Sequence, residues 1–360
     1  MKILSIFLFL LVNQVIAQNI VGVKKGLNSF YVFDNGFLQQ LEHRSVKSFA
    51  EGGYYLAYVN ERNEFNIYRN GRSFFLEEGV FIKTYSTTNH LMAFVKENQL
   101  SVWDNSKVKI LSARVADYTV TDSLVTFFDD LLRSFKVYYN GYVYDLETYQ
   151  DSIPSLTHTT GKNTLAYSDR NNNFYIFYLG KKELIAKFHN EVKFEAGTDV
   201  VAFEAENEYQ FQVFYKGVIL GASELKPVNF QAGDGIVAFT DVTGNFKVFD
   251  NGIQYTVSKF TPDFYDVEDN IVIFADTLNH FSAFINGRIH QIEEIRPQSY
   301  KTDAGNIAYI DHIGRFKFFS RGKTSIVSYE KVVNYRLNGE VIVFDTGELS
   351  DNIWFNGKVY

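Results

Sequence analysis

Asp169, Asp241, Asp276 and Asp311 each stand two residues after an aromatic that closes a short apolar run, and Asp345 stands one residue after its own. Carboxylates repeated in this way could ligate calcium or serve acid–base catalysis. Their recurrence points instead to turn chemistry, in which an aspartate side chain accepts a hydrogen bond from the backbone two residues on. The stretch Asp241-Val242-Thr243-Gly244-Asn245 lacks the alternating oxygen ligands and closing glutamate of a calcium loop. Seven histidines are dispersed without paired metal-ligand spacing, and there is no cysteine. Nucleophile elbow, phosphate loop and dinucleotide fingerprint are all missing. Acidic pairs such as Asp129-Asp130 and Glu293-Glu294 read as solvated strand or turn residues, not as facing carboxylates across a glycosidic bond. No catalytic residue, metal or cofactor is therefore expected.

The elements that carry these residues repeat. Phe30-Tyr31-Val32-Phe33-Asp34-Asn35-Gly36 returns as Phe65-Asn66-Ile67-Tyr68-Arg69-Asn70-Gly71, then at Gly141, Gly180, Gly217, Gly252, Gly287, Gly322 and Gly357, with Ser106 in the glycine slot of the third copy. Most steps are 35 residues; those reaching Gly180 and Gly217 are 39 and 37. A fixed period of this size is the mark of a repeat architecture. Asparagine leads the turn in seven of the ten copies, and Leu179, Lys216 and Arg321 lead the others. Asn-Gly between apolar β-formers signals a two-residue hairpin with positive φ at both turn positions.

Residues 227–257 show the whole unit as four short strands separated by turns. The first strand carries an aromatic at Phe49, Tyr85, Tyr118, Phe194, Phe230, Tyr265, Tyr300 and Tyr335, with His158 as the exception. The second reads Leu56-Ala57-Tyr58, Leu165-Ala166-Tyr167, Val201-Ala202-Phe203, Val237-Ala238-Phe239 and Ile307-Ala308-Tyr309. Consecutive apolar residues in a strand require both faces to be dry. The small middle residue leaves room for a bulky neighbour from the adjoining unit. Pro227, Pro262 and Pro297 recur in step, at the link from one fourth strand to the next first strand, where a missing N–H is tolerated.

On these features the chain resembles β-propeller repeat proteins in general over residues 19–360; no named-family signature matches. The resemblance implies an all-β fold of four-stranded blades. Ten hairpins but only nine aromatic first strands leave about nine or ten units, arranged either as one large ring or as two smaller assemblies. The uneven steps between Gly141 and Gly217 place any seam near 141–180, where Pro154 and Ser168-Asp169-Arg170-Asn171-Asn172-Asn173 sit.

Residues that break a repeat are its candidate binding residues. Trp103 replaces the usual Phe or Tyr late in a third strand, as Trp354 does in the last copy. Arg133 joins Asp129 and Asp130 in one irregular charged turn, and His158 replaces the first-strand aromatic. Trp103, Asp129, Asp130, Arg133 and His158 are the expected ligand-binding positions.

Residues 1–17 read as a cleavable signal: Lys2, an apolar run from Ile3 to Val12, then Val15-Ile16-Ala17 before Gln18. No cysteine follows for lipid attachment, and no later run is long enough to span a membrane. Loss of the signal removes Lys2 and no acid, leaving 34 basic against 42 acidic residues and a formal charge of −8. That sign argues against nucleic-acid binding. Abundant Phe, Tyr, Asn and Lys, with a signal ending in Ala-Gln, is similar in style to exported proteins of Bacteroidota. The expected protein is periplasmic or secreted and non-catalytic, binding or scaffolding through a protein partner. The rival functions are carbohydrate binding and glycan hydrolysis by carboxylates at the channel mouth.

Overall fold

All ten two-residue turns adopt positive φ at both positions, from Asn35 and Gly36 (48° and 92°) to Asn356 and Gly357 (50° and 75°). Leu179, Lys216 and Arg321 accept the left-handed conformation that asparagine takes elsewhere, and Ser106 accepts it in the glycine slot. Each turn joins two antiparallel strands of one sheet. A computed structural model describes residues 20–26, 29–149, 156–206, 208–348 and 350–360, and these form ten antiparallel sheets. The signal-like segment 1–17 lies outside the described residues, as does Pro154.

Blade 1 spans residues 20–42, with strands β1 (Ile20–Lys25), β2 (Ser29–Asp34) and β3 (Phe37–Glu42). Blades 2 to 10 span 46–78, 82–112, 115–148, 158–187, 194–223, 229–258, 264–293, 299–328 and 334–359, with four strands each, in meander order. Blade 7 is representative: Asn229–Ala232 innermost, then Ile236–Thr240, Phe246–Asp250 and Ile253–Ser258 outermost.

Ten apolar clusters join ten pairs of neighbouring blades. The cluster of Leu124, Phe135, Leu165 and Phe177 links blades 4 and 5, within the stretch where the spacing slips. The cluster of Val21, Val23, Phe33, Val341, Val343 and Ile353 links blade 10 to blade 1. One closed ring of ten units results. Both faces of each second strand are buried, as the unbroken apolar triplets require; Leu56-Ala57-Tyr58 and Val237-Ala238-Phe239 are within 2% of full burial. The small residue faces the next blade: Ala238 shares a cluster with Phe274, and Ala308 with Phe344.

Innermost aromatics pack backwards onto a third-strand phenylalanine of the preceding blade, at ring separations of 4.8–5.2 Å for Phe316–Tyr335, Phe65–Tyr85, Phe246–Tyr265, Phe211–Phe230 and Phe30–Phe49. Tilted pairs of this kind contribute about 0.5–1.5 kcal/mol beyond their burial. Where the ring is a tyrosine, its hydroxyl reaches the preceding innermost strand: Tyr85 donates to Ser48, Tyr118 to Thr84, Tyr265 to Asn229 and Tyr335 to Ser299. The repeated aspartates cap turns as expected. Asp241 Oδ1 accepts from the Thr243 and Asn245 amides, and Asp311 Oδ1 from those of Ile313 and Arg315. Pro227, Pro262 and Pro297 lie buried in the crossings between blades.

Candidate functional site

Because each blade meanders, one end of the ring carries the innermost-to-second turns together with the two-residue hairpins. The other end carries the second-to-third turns and the blade crossings. At the first end, successive innermost turns touch backbone to backbone. A Cβ on Gly197 would lie 1.8 Å from the Gly233 carbonyl oxygen, so no side chain fits there. The Thr198 amide donates to Gly233 O, the Asp234 amide to Asp269 O and the Gly235 amide to Thr198 O. Side chains extend this belt around the axis. Asn89 accepts from the Gly53 amide while its own amide donates to Asp122, Asp269 accepts from the Ala304 amide, and Asp303 accepts from the Gly339 amide.

Turns from seven blades thereby converge on one depression of about 440 Å³, lined among others by Tyr54, His90, Lys162, Asp234, Asp269 and Asp303. Lys162 Nζ bridges Asp234 Oδ2 at 2.6 Å and Asp269 Oδ1 at 2.5 Å. Burial disfavours the charged ammonium, but the two carboxylates outweigh it and hold the Lys162 pKa above its ordinary value. Burial likewise opposes ionisation of Asp269, yet Lys162 and the Ala304 amide hold its carboxyl low. Asp303 goes the other way. Burial and the neighbouring Asp269 charge outweigh the Gly339 hydrogen bond and raise it to about 6. The His90 ring stacks on Tyr54 at 5.0 Å. Among the described residues no group of three or more His, Asp or Glu could hold a metal ion. The depression is acidic and rich in hydrogen-bonding groups, with a carboxyl that titrates in a mild pH range.

The five positions singled out by their sequence lie elsewhere. Trp103 is buried between blades 2 and 3, with Ala57, Phe65 and Met92. Asp129 is buried at the opposite end of the ring and accepts from the Leu132 amide. Asp130 pairs with Arg114 at 2.5 Å. Arg133 holds φ at 50° in the same turn, and its carbonyl accepts from the Tyr149 amide. His158 occupies the innermost aromatic slot, 5.1 Å from Phe135 and 6.0 Å from Phe128. Asp129, Asp130 and Arg133 share a turn, and His158 meets the ring of Phe128 next to it; Trp103 belongs to a different interface. Lys162, Asp234, Asp269 and Asp303 were not legible as a group. One signal was present: Asp199, Asp234 and Asp269 stand 35 residues apart.

The family model of a 10-bladed beta propeller domain matches residues 14–360. No curated protein matches the chain. Among solved structures, the chain is similar to the computationally designed Ika8 protein, at 13% identity and a TM-score of 0.38, covering 76% of this chain and 96% of that one. It is also similar to Prp20p from Saccharomyces cerevisiae, at 9% identity and a TM-score of 0.33, covering 57% and 72%. A third is the CRINKLY WD40 ectodomain of the Arabidopsis thaliana receptor kinase ACR4, at 6% identity and a TM-score of 0.33, covering 66% and 98%.

Proposed function

We infer, from a chain that belongs to the 10-bladed beta propeller domain family, an exported, non-catalytic module that docks a protein partner on the crossing end of its ring. One observation carries this reading. Apolar side chains stand in solvent at one-blade steps around that end: Leu225, Phe260, Ile295 and Tyr329 in four successive crossings, and Val242, Leu278 and Ile313 in the second-to-third turns of blades 7–9. Phe260, Leu278 and Tyr329 are 73%, 72% and 78% exposed. The two sets adjoin, since Thr261 Oγ1 donates to Gly244 O and Gln298 Nε2 to His312 O. Exposed apolar rows bounded by charge mark interaction surfaces. Across the ring the same end carries the charged Arg62, Arg114, Asp130 and Arg170 beside exposed Val80, Phe81, Leu131 and Leu132. Export is supported by the signal-like residues 1–17, and no described helix is long and apolar enough to cross a membrane.

Carbohydrate binding has less support. Both tryptophans are buried, and many exposed rings, including Phe37, Phe75 and Tyr142, belong to outermost strands spread around the perimeter. Glycan hydrolysis keeps one specific observation, the low Asp269 beside the raised Asp303 in one depression, a split that suits acid–base work. Affinity capture from the native envelope tests the docking reading. A partner retained by the wild-type chain should be lost with Phe260→Ser, Leu278→Ser and Tyr329→Ser together, and retention by the triple variant would refute the surface. Turnover of a polysaccharide by wild type but not by Asp303→Asn would establish hydrolysis instead.

A further inference from the structure

Eight of the ten blades place a phenylalanine six residues before the hairpin glycine slot, from Phe30 to Phe316; blade 3 has Leu100 and blade 10 has Asp351. In the other blades this residue is the socket for the innermost aromatic of the next blade. Blade 10 is followed by blade 1, whose described residues include no innermost strand: β1 is the equivalent of a second strand, and Gly22 stands where Ala57 stands one repeat later. Among the described residues, the absent ring and the absent socket go together.

The inner edge of β1 is nonetheless satisfied, and by side chains. The Gly22 amide donates to Glu51 Oε1 at 2.8 Å, and Arg336 Nη2 donates to Gly22 O at 2.8 Å. Asn338 Nδ2 donates to Ile20 O at 3.3 Å. The Lys24 amide donates to Asp351 Oδ2 at 3.0 Å, and the Asp351 amide donates back to Lys24 O at 2.9 Å. Arg336 Nη1 and Glu51 Oε1 are 3.1 Å apart, and the guanidinium lies 5.0 Å over the Phe49 ring. Blades 10 and 2 thus meet across the inner side of blade 1. A Cβ at Gly22 would strike the Phe30 ring at 2.8 Å and the Phe49 ring at 3.1 Å, so the close approach depends on glycine.

We propose that Glu51, Arg336 and Asp351 form a closure latch that satisfies the inner edge of β1, the edge that an innermost strand covers in the other blades. An open strand edge invites pairing with other chains. Alternate residues Ile20, Gly22 and Lys24 direct free groups inwards, and the five hydrogen bonds above occupy Ile20 O and both backbone groups of Gly22 and Lys24. Among the described residues, nine innermost strands then serve ten blades.

Lys301 is the in-register control for Arg336: it stands 35 residues earlier and lies over the Tyr335 ring at 5.3 Å. In the full-length chain, Arg336→Met should speed amide exchange in β1 roughly tenfold, the size expected when a buried carbonyl and a carboxylate lose their partner. Lys301→Met should leave β1 exchange unchanged. Equal effects of the two substitutions, or no change in β1, would overturn the latch. If Arg336→Met does not fold, Asp351 decides: Asp351→Asn keeps an acceptor for Lys24 and should be tolerated. Asp351→Phe restores the usual socket and should be disruptive; the reverse order rejects the proposal. A chain starting at Gln18 should melt with the full chain, and a lower midpoint would show that upstream residues complete blade 1.

Discussion

Lys162 Nζ lies 2.5 Å from Asp269 Oδ1 although 107 residues separate them and blades 6 and 7 lie between. The pair exists because glycine-led turns bring successive blades into backbone contact at one end of the axis, leaving the long lysine side chain to reach two carboxylates.

Lys162→Met should destabilise the ring, because it leaves Asp234 and Asp269 close together without their cation. Breaking a buried pair costs about 3–5 kcal/mol. Lys162 is about one-third exposed, so screening reduces the expected loss to about 1–3 kcal/mol. Urea denaturation measures it, and a change within error would show that the pair carries no stability.

Asp303 sets a pH dependence of definite sign. Its folded pKa of about 6 exceeds the ordinary carboxylate value of 3.8, so between these values the folded state binds more protons than the unfolded chain. The stability from this group is complete below the lower value and declines as pH rises towards the upper one. Asp303→Asn should remove that decline and gain roughly 2 kcal/mol at pH 7 relative to pH 4, compared with wild type. Parallel stability–pH curves for the two proteins would contradict the assignment.

Asp311 works in the opposite direction. It is fully buried and pairs with Arg315 and Lys317. Burial opposes its ionisation, but those hydrogen bonds prevail and hold its pKa at about 2. Its stabilisation is present above the ordinary carboxylate range and is lost as pH falls from about 4 towards 2. Asp311→Ala should cost about 3 kcal/mol at pH 7, softened because Glu293 also pairs with Lys317, and should flatten the acid limb of the curve. An unchanged acid limb would show that other carboxylates govern it.

Two glycines should fail for different reasons. Gly197→Ala drives a methyl into the Gly233 carbonyl, a rigid neighbour, and should prevent folding or cost more than about 3 kcal/mol. Gly141 has φ of +85° with open space around its Cβ position, so Gly141→Ala should cost only about 1–2 kcal/mol of left-handed strain. Thermal unfolding of both proteins distinguishes steric exclusion from conformational strain.

His158→Phe should be tolerated, with a change within about 1 kcal/mol, because other blades pack an aromatic ring in that slot. Loss of partner capture with stability intact would reveal a recognition role that packing does not require.

Much of the architecture is readable in local chemistry. Asn35-Gly36 and its copies demand a left-handed hairpin, triplets such as Val237-Ala238-Phe239 demand two dry faces, and Asp241 or Asp311 demands a turn that it can cap. The near-constant 35-residue step then repeats one blade, and the resemblance to propellers follows. These are short-range properties, encoded within a few residues of where they act.

Ring size, closure and the axial cluster depend on contacts between distant residues. Asp234, Asp269 and Lys162 look like ordinary turn residues until blades 5, 7 and 8 are set around a common axis, because convergence depends on the accumulated rotation of the blades. Asp351 and Gly22 likewise acquire meaning only when residue 351 is brought beside residue 24. The inner edge of β1 is satisfied by side chains of blades 10 and 2, and that pairing is decided where the ring meets itself.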